Sequence, residues 1–108
     1  MNADPTMTDE RLDWMSLGIL RDKETADFVD YVFIADVWDR DPRFESRNML
    51  VGQRRGLFRI DKTSAQATLL RPMLGDDAGR RFLAASSKVK REHDHLLRYP
   101  EATQFACG

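Results

Sequence analysis

Apolar side chains recur along this chain in blocks whose spacing predicts three helices, a hairpin and then a longer helix. Leu12, Met15 and Ile19 fall at helical spacing with Leu20 beside them, behind the hydroxyl and acidic caps of Thr6-Met7-Thr8-Asp9. A helix over 8–21 follows from that pattern, with Gly18 costing it about 1 kcal/mol relative to alanine.

The next block, 24–38, fits two periods. As a helix it sets Phe28, Val29, Val32, Phe33 and Ala35 on one broad face, opposite Glu24, Asp27 and Asp30. As a strand, Tyr31 to Val37 is a short β-branched and aromatic run. Helical spacing sustained over the whole block favours the helix. In that helix Tyr31, Ile34 and Trp38 continue the acidic face and need cover from the fold or from a partner.

Asp41 then reads as an N-cap with Pro42 at the first helical position, predicting a third helix over 42–51 that Gly52 and Gly56 close. Leu57–Asp61 and Ala67–Arg71 are two short strand-like runs separated by Lys62-Thr63-Ser64-Ala65-Gln66, which predicts a β-hairpin. Asp61 is placed to accept backbone hydrogen bonds at the start of the turn, and Ala65 takes the left-handed position that such loops prefer to give to glycine. Gly75-Asp76-Asp77 opens the last helix, over 77–98, where Ala78, Phe82, Ala85, Val89, His93 and Leu96 step by three and four.

The expected architecture is therefore α+β: three N-terminal helices, one β-hairpin and a long C-terminal amphipathic helix. The 108 residues suit one domain, with 1–6 and 103–108 frayed. The core expected from this reading is Leu12, Met15, Ile19, Phe28, Val32, Phe44, Phe58, Ile60, Leu70, Phe82, Val89 and Leu96. Over about residues 8–72, this order resembles that of winged-helix DNA-binding domains in topology, with no residue motif behind it. The resemblance makes 42–51 the reading helix, but that helix carries Glu45 beside Arg43 and Arg47 and follows an acidic one.

Charge changes the picture more than composition does. The net charge of −1 divides into −7 over residues 1–45 and +6 over 46–108. Either the two parts neutralise each other inside the fold, or one face of a single sign is left outward. The lone cysteine, Cys107, forms no internal disulfide, and neither a basic-then-apolar leader nor a long apolar run is present. A soluble, cytoplasmic domain with no membrane partner is the expectation.

Candidate chemistry is sparse. In Glu92-His93-Asp94-His95 the two histidines are two residues apart, so one helix face cannot present both to a metal ion. Asp39-Arg40-Asp41 begins like a calcium loop but lacks its glycine and terminal glutamate. Gly52-Gln53-Arg54-Arg55-Gly56 lacks the lysine and hydroxyl of a phosphate loop. No metal, cofactor or catalytic set is expected, and the chain is read as non-enzymatic. A protein partner of more basic character, bound by an inhibitor, immunity or adaptor type of protein, would meet Asp27, Asp30, Tyr31, Ile34, Trp38, Asp39 and Asp41. The alternative is a nucleic-acid-binding regulator using Arg54, Arg55, Arg59 and Lys62 around the hairpin. Pairing with a second copy of the chain is also allowed.

Overall fold

A computed structural model describes residues 11–12, 16–40 and 48–106. Its elements are strands β1 (Arg11–Leu12), β2 (Ser16–Glu24), β3 (Phe28–Arg40), β4 (Asn48–Asp61) and β5 (Ala67–Arg71), helix α1 (Arg80–Leu96) and strand β6 (Ala102–Ala106). The strands form one antiparallel sheet in the order β5-β4-β3-β2-β6, with β1 paired to β3 at Val37 and Trp38. The last helix crosses one face and hands the chain to β6 on the far edge.

This corrects the expected architecture of three N-terminal helices. The segments read as helices over 8–21 and 24–38 contain β2 and β3, and the end of the one read over 42–51 runs into β4; residues 41–47 lie outside the described ones. The cause is visible in β3. Val29, Tyr31, Phe33, Ala35 and Val37 alternate onto the helix side and are all buried, the period-2 pattern of a strand. Phe28, Val32, Ile34 and Trp38 on the other side are also apolar and half-buried. With large apolar groups at odd and even positions, helical spacing can be drawn through the same residues, but only the strand pairs their backbone with β2 and β4. Without the three helices, the winged-helix topology has no counterpart in the structure.

The covered face is an aromatic core. Phe58 sits between Tyr31 and Phe33, with ring centroids 5.6 and 5.8 Å away, and meets Phe82 of α1 at 5.8 Å. Ile19, Ile60 and Val89 are fully buried around them. Of the expected core, Phe28 and Val32 lie on the opposite face, Leu70 and Leu96 are exposed, and Leu12, Met15 and Phe44 have no described side chains.

Two local signals are physically explicit. Asp61 Oδ1 accepts the N–H groups of Thr63 and Ser64, each at 2.8 Å, and Ala65 adopts φ 62°. The start of α1 is capped by Asp76, whose carboxylate accepts the N–H groups of Arg81 at 2.8 Å and Phe82 at 3.1 Å. Capping satisfies helix donors that have no intrahelical partner. Residues 103–106, expected to fray, are instead part of the edge strand β6.

Candidate functional site

Among the described residues α1 covers one face only, so the other face of the sheet carries whatever the even-numbered positions of β3 and their cross-strand partners supply. Register builds it in rows. Ala102, Leu20, Val32, Leu57 and Arg71 lie side by side across five strands, and Gln104, Gly18, Ile34 and Arg55 form the next row. Asp36 faces Gln53, and Trp38 faces Leu50. Leu20 is 48% exposed and Leu50 55%, an apolar strip open to solvent. Outside its own stretch of chain, a Cβ on Gly18 would meet only Ile34, at 4.0 Å, and a groove of about 570 Å³ runs over this glycine toward Asp36 and Gln53.

One ion pair on this face is closed within it. Asp30 is only 5% exposed and holds Arg59 through two hydrogen bonds, 2.8 Å to Nε and 3.1 Å to Nη2. The Arg59 guanidinium also lies 3.7 Å from the centre of the Phe28 ring, with Lys23 Nζ 5.6 Å away from it. Gln53 donates to Asp36 at 3.1 Å. Among the described residues, the acidic first part of the chain meets the basic remainder at Asp30–Arg59, across β3 and β4, and at Glu24–Lys62.

The residues expected to form one acidic and aromatic surface are divided. Tyr31 is fully buried on the helix side, donating to the carbonyl of Pro100 at 2.7 Å, so it cannot meet a partner. Burial pushes its phenol well above the usual tyrosine range. Asp30 is taken up by Arg59. Asp27 is exposed at the β2–β3 turn. Ile34 and Trp38 do share the uncovered face; Asp39 pairs with Met49 in the ladder, and Asp41 lies outside the described residues. Leu20, Val32, Leu50, Leu57 and Arg71 complete that face. Only the strand alternation could have grouped them.

The basic alternative is divided too. Arg59 is tied to Asp30, and Lys62 bonds Glu24 at 2.8 Å. Arg54 and Arg55 are adjacent in a strand and so point to opposite faces.

A second concavity, of about 390 Å³, lies where α1 returns to the sheet. Arg21 reaches Glu24 at 3.1 Å, Glu101 at 3.5 Å and the Tyr99 carbonyl at 3.0 Å. His93 stacks on Tyr99 with centroids 4.1 Å apart, and Lys62 Nζ lies 5.8 Å from that ring. The Lys62 hydrogen bond holds the Glu24 carboxyl below its usual range, while burial pushes the Tyr99 phenol up. These groups satisfy one another and tie the chain's end to β2. Among the described residues, no three His, Cys, Asp or Glu side chains converge as metal ligands. No helix among them is long and apolar enough to cross a membrane.

Comparison with protein-family models, with curated proteins and with solved structures finds no match for this chain.

Proposed function

We propose that this is a small non-enzymatic interaction protein that docks another protein on the uncovered face of its sheet. The observation that carries the reading is the apolar strip Leu20–Val32–Leu57, continued by Ile34, Trp38 and Leu50, which no element among the described residues covers opposite the helix. Contiguous exposed apolar surface rimmed by polar groups is the composition of protein interfaces. Asp22 and Asp36 on one side and Arg55 and Arg71 on the other supply a rim of both signs, which sets orientation more than affinity. The partner surface therefore differs from the acidic patch expected from the sequence: its centre is aliphatic and its charges are mixed.

The test is site-specific photocrosslinking in the native cell. A photoreactive residue at Leu20 or Ile34 is expected to give discrete adducts with a partner, and one at Ser87, on the outer side of α1, to give none. Equal labelling from both faces, or none from the sheet face, overturns the proposal.

A further inference from the structure

The strand order ends in β5 on one side and β6 on the other, and these two edges differ. The β5 edge is interrupted: its register with β4 shifts between Leu57 and Phe58, leaving Leu70 unpaired, and the strand ends at Arg71 followed by Pro72. Bulges, charges and proline are the devices that stop a sheet edge from recruiting another strand. Within β6 there are none of them, and its flanking Pro100 and Glu101 lie before the strand begins. Ala102-Thr103-Gln104-Phe105-Ala106 carries no charge and no proline, and its register with β2 is unbroken over all five residues.

The direction of its free backbone groups follows from one bond. Arg21 N–H donates to the Glu101 carbonyl at 2.8 Å. In an antiparallel pair, hydrogen-bonded and non-hydrogen-bonded positions alternate. Thr103 and Phe105 therefore face β2 with their backbone groups, while Ala102, Gln104 and Ala106 turn theirs outward to the open edge.

We propose that β6 pairs antiparallel with β6 of a second copy of this chain about a two-fold axis at Gln104, joining the two sheets into one. The five residues match themselves in that arrangement. Gln104 meets the partner's Gln104, and Ala102 meets the partner's Ala106; each such pair exchanges two backbone hydrogen bonds through the groups that point outward. On the helix side Thr103 sits beside the partner's Phe105, a β-branched and aromatic pair of the kind that stabilises neighbouring strands. Phe105, half-buried at the edge, gains cover from it. A strand without charge offers no electrostatic selection for a foreign peptide, whereas a copy of itself supplies the complementary pattern on both faces. The interface is isologous, with Gln104 of both copies on the two-fold axis, so the pair of β6 edges closes on itself at two copies. It leaves the Leu20–Val32–Leu57 strip outside the joint, so the docking proposal stands or falls separately.

The experiment is sedimentation equilibrium of the full chain, beside the Q104P variant. Proline at Gln104 removes an outward N–H without breaking a bond to β2, a placement that edge strands accept. The wild-type chain is expected to dimerise, and Q104P to weaken the dimer by at least about tenfold, equivalent to about 1.4 kcal/mol. Should Q104P fail to fold, Q104K, which sets two ammonium groups against each other at the axis, is expected to do the same. In a C107S background, Q104C is expected to form a disulfide-linked dimer on mild oxidation, and T68C on β5 is not. A wild-type chain that stays monomeric at its highest soluble concentration overturns the proposal. So does an unweakened dimer in both Gln104 variants, or crosslinking through T68C in place of Q104C.

Discussion

The ring of Phe33 lies directly over Gly56, its cross-strand partner, so closely that a Cβ there would sit 2.2 Å from Cζ and 2.4 Å from Cε1. Glycine in the middle of a strand weakens it unless another group uses the space. Here the space belongs to an aromatic ring that also packs against Phe58 and Phe82. Gly56→Ala is therefore expected to destabilise by about 1–3 kcal/mol, the range for forcing extra atoms into a packed core. Combined with Phe33→Leu, the cost should fall short of the sum of the single variants by at least about 1 kcal/mol, because the two sites share one volume. Urea denaturation of the four chains in the cycle measures it, and simple additivity would contradict the contact.

Several residues other than glycine take a left-handed backbone, among them Ala65 at φ 62° and Leu97 at φ 60°. Ala65 closes the β4–β5 turn with its N–H on the Asp61 carbonyl, and Leu97 closes α1 with its N–H on the His93 carbonyl. Both exposed positions suit glycine. Ala65→Gly and Leu97→Gly are each expected to stabilise by up to about 1 kcal/mol, since a Cβ is disfavoured there. Thermal melts of each variant check this; a lower melting temperature for Ala65→Gly would count against the turn.

Tyr31 joins β3 to the segment after α1 through its bond to the Pro100 carbonyl. Tyr31→Phe keeps the ring and its 5.6 Å stacking on Phe58 but orphans that carbonyl. A loss of about 1–3 kcal/mol is expected, the cost of an unsatisfied buried group. The pH dependence has a definite sign. Burial raises the folded-state value above the unfolded 10.0, so this stability is present below pH 10 and is lost as pH rises through the raised value. Melting temperature against pH above 10 should fall less steeply in Tyr31→Phe than in the wild type.

The acid side runs the other way. Backbone N–H groups of Ser64 and Thr63 hold Asp61 below its ordinary 3.8, and hydrogen bonds from Lys88 and Thr103 hold Glu92 below 4.5. Lowered folded-state values mean stability that is present above those ordinary values and lost as pH falls through the depressed ones. Asp61→Asn keeps an oxygen for the turn but removes the ionisation. Its melting temperature is expected to change less than that of the wild type between pH 5 and acid, and an unchanged slope would show that the turn does not couple to Asp61 ionisation.

What was legible in the sequence was local. The turn around Asp61 and Ala65, and Asp76 at the start of the last helix, depend on residues a few positions apart, where side-chain chemistry and backbone preference act together. The identity of 16–40 was not legible, because Leu17 and Ile19, or Val29 and Tyr31, choose between strand and helix only when distant backbone is there to pair with. Nor was the surface. Whether Tyr31 or Ile34 faces out depends on which side α1 covers, and Arg21 finds the Tyr99 carbonyl 78 positions away. The divided charge was visible as a count along the chain, but the pairing of Asp30 with Arg59 came only when β3 and β4 lay side by side. Short-range preferences are written into neighbouring residues; burial and pairing across a sheet exist only once the whole chain has assembled.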